Sequence, residues 1–414
     1  MKLTEQNITL WGDDIPWLAG LREKGLRAFA ASGLPTAKTE AWKYSFGAVG
    51  NTENLRIDTT PHECNGHCHQ QEEKPVSAYC IDFCNGKLHG EHFDLPRGVS
   101  VKPLVEAIYD GDIKPYLNKS FAMEKFPFAA LNTAYLEQGI MLVVERDIAL
   151  DKPIVIRYHQ HNSQNLFCNI RNVIVLEAKA KAEIIEYVDI DEDTCLHNVV
   201  NEIFLAADST LKYYKLQKEG KARCVSLNSV QQRSNSNYKC FVKHNECALA
   251  RHESYINLLQ EGAYAEVNGV YQLVNNGVSD ITTNILHLAP HTTSNQLVKG
   301  VIDGKAKGVF QGQIHIAPDA QQTEGHQLHR ALLLSDDGEV DCKPELEIFA
   351  DDVKCSHGAT CGDLDKEQLF YMQSRGICLE NARRILIEAY LQEVLNKIDN
   401  SEVAGWLADN MKNF

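Results

Sequence analysis

Leu286-His287-Leu288-Ala289-Pro290 recurs 28 residues later as Ile314-His315-Ile316-Ala317-Pro318, and a weaker echo, Glu347-Ile348-Phe349-Ala350-Asp351, follows after 33 more. Short strands repeated at such a period indicate stacked coils, because one coil cannot bury its apolar face alone. Alternation places Leu286 with Leu288, and Ile314 with Ile316, on one face of each strand. His287 and His315 then fall on the other, sharing a register on an outer face. Around the repeat lie further period-2 segments: 154–158, 172–176, 183–187, 211–216, 264–273, 296–302 and 309–316. Each is short and bounded by Gly, Asn, Asp or Pro. Almost no helical pattern intervenes. The expectation is a mainly β protein: a right-handed parallel β-helix over residues 120–362, its interior filled by stacked aliphatic side chains.

The flanks read differently. Residues 1–119 are expected to form a mainly helical domain. Asp13 or Asp14 caps a helix entered through Pro16, with Leu18, Leu21, Leu26 and Phe29 as its apolar stripe and Gly33 ending it. Val101 to Leu117 offers a second short helix carrying Leu104, Ile108 and Tyr109. Residues 51–75 read as a long polar loop. Residues 363–414 are helical again. Asp363 or Asp365 caps a helix closed by Arg375-Gly376, a longer amphipathic helix runs from 379 to 398, and a last short one holds Val403, Trp406 and Leu407.

The 414 residues carry 41 Lys and Arg against 56 Asp and Glu, a net charge of −15. That charge argues against nucleic acid as a partner. No apolar run reaches the roughly 18 residues of a membrane span, and the N-terminus lacks the apolar stretch of a signal peptide. The thirteen cysteines are therefore expected to be reduced thiols in the cytoplasm.

Phosphate-loop, dinucleotide, zinc-protease and serine-hydrolase signatures are absent. The densest ligand cluster is His62-Glu63-Cys64-Asn65-Gly66-His67-Cys68-His69, followed by Cys80 and Cys84. Thiolate and imidazole suit zinc or an iron–sulfur centre. The C-x3-C spacing departs from the usual C-x2-C, so a surface cluster is the favoured reading of Cys64, His67, Cys68 and His69.

The most specific stretch is Pro344-Glu345-Leu346-Glu347-Ile348-Phe349-Ala350-Asp351-Asp352-Val353-Lys354-Cys355-Ser356-His357-Gly358-Ala359-Thr360, continuing through Glu367-Gln368-Leu369-Phe370-Tyr371 and Ser374-Arg375-Gly376. It resembles the C-terminal signature of the SufB/SufD family, the scaffold subunits of the Suf iron–sulfur cluster assembly machine. Ala130-Leu131-Asn132-Thr133-Ala134 and Leu332-Leu333-Leu334-Ser335 resemble the same family. Glu40-Ala41-Trp42-Lys43-Tyr44 and Cys355-Ser356-His357-Gly358 are most similar to the D-type subunit; Cys361 departs from the aliphatic residue expected there.

The resemblance implies a non-catalytic scaffold that pairs with a SufB-type subunit and docks a SufC-type ABC ATPase through its C-terminal helices. It implies no stably bound cofactor, a nascent iron–sulfur cluster at the subunit interface, and Cys355 and His357 as the residues near that cluster. Flavin binding and a homodimer in isolation stay open. The rival readings are a SufB-type subunit that carries the cluster itself, and a β-helix carbohydrate lyase or hydrolase. The second needs clustered carboxylates with a basic partner, and no such pattern is visible.

Overall fold

The computed structural model describes residues 8–58, 76–90, 93–160, 164–190 and 194–411. The N-terminal part contributes α1 (Pro16–Ser32), β1 (Tyr79–Cys84), β2 (Lys87–His89), β3 (Val99–Pro103), α2 (Leu104–Asp110) and α3 (Pro127–Ala134). Then come β4 (Gln138–Val144), β5 (Ile154–His159), β6 (Phe167–Leu176), β7 (Lys181–Asp189), β8 (Leu196–Leu205), β9 (Thr210–Gln217), β10 (Arg223–Gln232) and β11 (Asn237–His244). They continue as β12 (Leu249–Leu258), β13 (Tyr264–Leu273), β14 (Val278–His287), β15 (Thr293–Ile302), β16 (Lys307–Ile316), β17 (Thr323–Leu333), β18 (Glu339–Ile348) and β19 (Val353–Gly362). The chain closes with α4 (Lys366–Ser374), α5 (Leu379–Leu395) and α6 (Ser401–Asp409).

From β4 onward successive strands alternate between two sheets. Even strands form a nine-stranded sheet with β3 at its edge, and odd strands form a ten-stranded sheet with β1 and β2 at its edge. Every pairing from β4 to β19 is parallel. This is the expected parallel β-helix, flattened into two facing sheets. A coil takes from 26 residues (Arg223 to Leu249) to 32 (Lys307 to Glu339), the variation lying in the turns.

Parallel in-register pairing stacks like-facing side chains from coil to coil. The row Ile174–Ile203–Val230–Ile256–Ile285–Ile314 runs along the interior, each member fully buried. Complete burial of each such side chain is worth roughly 1.5–3 kcal/mol.

The repeat that reveals the coil is one residue out of step with its ladder. Ile285 pairs with Ile314, so Leu286 faces His315 and His287 faces Ile316. A one-residue offset exchanges the two faces of a strand. His287 is therefore inside, fully buried and hydrogen-bonded to the Thr292 and Ser294 hydroxyls at 2.8 Å each. His315 is outside, 3.1 Å from Glu347. The outward histidine pair expected from the motif does not form.

Strands β8, β10, β11 and β12 lacked a legible alternation because both their faces are covered. On the outer face of the even sheet, Arg171 pairs with Glu202 at 2.8 Å, both inaccessible to solvent. Arg251 is buried between Glu253 (2.7 Å) and Asp280, with its guanidinium 4.0 Å from the Trp42 ring. The Glu40-Ala41-Trp42 motif thus supplies the ring that covers a buried cation.

The N-terminal part forms that cover. Phe29, Trp42, Val49, Phe128 and Leu131 pack on Phe167, Leu196, Val225 and Leu249. Helix α1 starts at Pro16 as expected, but its N-cap is Ile15. Asp13 instead accepts the Leu10 N–H (3.0 Å) and pairs with Arg22 (2.7 Å). Its buried stripe is Leu18, Arg22, Gly25 and Phe29, while Leu26 faces solvent. A Cβ at Gly25 would meet Ala130 O and Ala134 N of α3 at 2.8 and 2.7 Å, so glycine sets this helix contact. In α2 Leu104 and Ile108 are buried, but Tyr109 is exposed. The region read as mainly helical also provides β1–β3, which extend both sheets.

The C-terminal helices cover the odd sheet. Asp365 caps α4, accepting from Glu367 N and Gln368 N, and Gly376 follows at φ +87°. Ile387, Leu391, Val394 and Leu395 of α5, with Val403 and Leu407 of α6, pack on Ile185, Tyr214, Leu216, Phe241, Val270 and Val301. Lys243 donates to Leu407 O at 2.9 Å, and burial lowers its pKa to about 7.

Candidate functional site

Both sheets end at the same place. β18 is the last strand of the even sheet and β19 the last of the odd sheet, so each presents one edge without a strand beside it among the described residues. Burial falls abruptly there: β16 is almost wholly buried, β18 and β19 are half-buried or exposed. Unpaired edges are templates for strand addition.

The signature lies on β19. Cys355 pairs with Gly325, His357 with Gln327, Ala359 with His329 and Cys361 with Ala331, all of whose partners face the interior. Cys355, His357 and Cys361 therefore continue interior rows to the open end of the coil. Cys355 is half-buried against Ile314, Ile316 and Leu346. Burial pushes its thiol up, opposed by a backbone hydrogen bond at Gly325, so the resting group is a protonated thiol. His357 is exposed. On the facing strand Cys342 pairs with buried Phe310 and occupies the same terminal layer; burial raises its pKa to about 11.

The layer beneath is polar and closed. Gln327 is buried and donates to Glu345 O at 3.2 Å, and its Oε1 has no partner among the described residues. The His329 ring lies flat on Phe310, with centroids 5.2 Å apart, and Tyr271 OH meets its Nε2 at 2.9 Å. Burial lowers the His329 pKa to about 4, so this imidazole is neutral. Tyr271 sits two coils back on β13. Its ring stands along the axis in space left by Gly300 and Gly308, where a Cβ would run into it. Deeper in, Asn172, Asn201 and Asn228 form a ladder (2.9 and 2.8 Å) joined by Tyr158, Tyr213 and Tyr238 and by the buried Lys215–Glu186 pair at 2.5 Å.

Among the described residues no three His, Cys, Asp or Glu side chains converge as a metal set. The 62–69 cluster lies outside the described residues. Cys80 and Cys84, expected beside it, belong to β1.

The family described as "SUF system FeS cluster assembly, SufBD core domain" matches residues 159–390. The chain belongs to the SufBD family. The family's N-terminal region matches residues 3–156. The chain is 33% identical over 411 residues to "Protein ABCI7, chloroplastic" of Arabidopsis thaliana, covering 95% of this chain and 86% of that protein. It is 27% identical over 384 residues to "Iron-sulfur cluster assembly protein SufD" of Escherichia coli, covering 90% and 87%. SufD of Bacillus subtilis is 25% identical over 290 residues, covering 69% and 66%. Within the SufBD family the chain is thus SufD-like. Among the described residues no helix is long and apolar enough to cross a membrane.

Cys355 and His357 lie two residues apart on one strand, β19, as the sequence suggested, whereas Cys342, Gln327 and His329 were not singled out. The alternation Val340, Cys342, Pro344, Leu346 marked Cys342 as interior. Nothing local marked Gln327 or His329, whose significance comes from stacking across coils.

Proposed function

We propose that this chain is a non-catalytic, SufD-like scaffold subunit of a Suf iron–sulfur assembly complex, joined to a SufB-type subunit at the open end of the coil. The observation that carries this reading is the coincidence of the two sheet edges with Cys355 and His357. A partner that extends the edges buries this layer and brings its own ligands to the two donors supplied here. Thiol and imidazole suit iron. A nascent cluster held there is cargo, and loading it requires Cys355 to release its proton to a base or to water as the metal binds. The ATPase docks on the C-terminal helices, where Phe370 and Tyr371 of α4 and Leu379 and Ile385 of α5 are exposed. No reaction of this chain's own is needed, and the cytoplasm is the expected compartment.

Co-expression with SufB-type and SufC-type subunits tests the reading. His357→Ala is expected to leave the complex intact and to lower its iron content sharply. Loss of the complex makes His357 a packing residue; normal complex and normal iron defeat the functional reading of the pair. Paired replacements Phe370→Ser and Tyr371→Ser are expected to release the ATPase alone.

A further inference from the structure

A second site lies on the outer face of the even sheet, where β6, β8 and β10 end. A half-open cavity of about 440 Å³ is lined there by Tyr116, Lys119, Arg146, Val175, Phe204 and Arg233. That volume is in the range of small-ligand pockets. Its floor is apolar: Val175 and Phe204 are adjacent in register, and the Tyr116 ring stands edge-on to Phe204 with centroids 5.0 Å apart. Its rim is cationic. Lys119, Arg146 and Arg233 are all exposed, and none forms an ion pair with another of the described residues. The one carboxylate in the lining, Glu177, accepts the Arg146 backbone N–H at 3.0 Å. The chain as a whole carries 15 more acids than bases, so an uncompensated basic rim runs against its composition.

The wall that carries Lys119 is fixed in advance. Glu202 accepts the backbone N–H groups of Asn118 (2.7 Å), Lys119 (3.0 Å) and Ser120 (3.3 Å) and is itself anchored by Arg171. Ser120 O in turn accepts from Ser229 Oγ (2.9 Å) and Gln231 Nε2 (2.8 Å). A polar network of this kind holds the loop without a ligand and lowers the ordering cost of binding one.

We propose that this cavity binds a nucleotide-class ligand, with an aromatic ring on Phe204 and Val175 and two or more phosphate charges between Lys119, Arg146 and Arg233. Two guanidinium forks and an ammonium suit phosphate oxygens, and the Tyr116–Phe204 floor suits a flat ring. The site is remote in sequence and register from β19, and it does not depend on the reading given for Cys355 and His357.

Titration calorimetry of the full chain at low salt with ADP, adenosine and inorganic pyrophosphate tests it. ADP is expected to bind saturably, and adenosine and pyrophosphate each at least about tenfold more weakly, since each retains half of the recognition. Arg146→Gln with Arg233→Gln is expected to weaken ADP about tenfold or more while the urea midpoint stays unchanged, because both side chains are exposed. If the double variant misfolds, Lys119→Gln and Arg233→Gln singly provide the same comparison. Absence of saturable ADP binding below about 1 mM overturns the proposal. So does ADP affinity indifferent to the substitutions, and so does pyrophosphate binding as tightly as ADP.

Discussion

Mild acid should loosen this protein well before its carboxylates titrate. His197, His244, His252, His287 and His329 are buried in the coil. Burial lowers His197, His244 and His287 to about 3 and His329 to about 4, and pushes His252 well below its ordinary 6.5. The charge on Lys215 adds to the effect at His197, His244 and His252. With folded values below 6.5, the unfolded chain takes up protons first as the pH falls. The contribution of neutral burial is complete above pH 6.5 and erodes between there and about 3. At pH 5.5, about one unit below the ordinary histidine value, the erosion is on the order of 1 kcal/mol per histidine and several kcal/mol together. Carboxylates held low by lysines, such as Glu393 and Asp399, lose their contribution as the pH falls through the ordinary carboxylate range and below it, so the window above that range belongs to histidine. Urea unfolding followed by far-ultraviolet circular dichroism at pH 7.5 and 5.5 reads the difference. His252 bonds Ser226 and Ser254 at 3.0 and 3.1 Å, and His252→Gln keeps a neutral polar side chain there. It should cut the slope of stability against pH by about 1.4 kcal/mol per unit. Equal midpoints at the two pH values would refute the reasoning, since the imidazoles would then not be held neutral by the fold.

Glu202→Ala should cost about 3–5 kcal/mol, measured by chemical denaturation, because it leaves Arg171 buried without its counter-charge and strips three N–H groups of their acceptor. Gly300→Val should destabilise by about 1–3 kcal/mol through collision with the Tyr271 ring, and Tyr271→Ala in the same chain should restore part of it; an unchanged melting curve for the single variant contradicts the packing described. Cys355, whose thiol burial pushes up, should alkylate slowly at pH 7.5 and faster as the pH rises past 9, read by mass spectrometry of the labelled peptide.

The coil was legible where outer faces alternate with inner ones, as at residues 264–267 and 313–316. It was hidden in β10 and β12, where Ser226, Asn228, Arg251, His252, Glu253 and Ser254 are all buried yet polar. Some of their partners lie a coil away, as Asp280 does for Arg251 and Ser226 for His252, and local periodicity does not carry that information. The same limit explains His287: a motif repeats by sequence spacing, whereas a ladder is set by hydrogen bonds that leave the turns free to absorb one residue. The site was half legible. A short signature gave Cys355 and His357, but the layer beneath them depends on contacts such as Tyr271 to His329, 58 residues apart.

That last contact changes how the molecule should come undone. In a solenoid each coil ordinarily feels only its immediate neighbours, and the ends peel away one coil at a time. Tyr271 skips a neighbour: it is rooted in β13, passes Gly300 of β15 and is fastened to His329 in β17. Peeling β17 therefore breaks a bolt that reaches two coils deep, so the C-terminal coils should open as one block or stay shut. The edge offered to a partner then behaves as a rigid end plate, kept flat by a tyrosine that never reaches the surface.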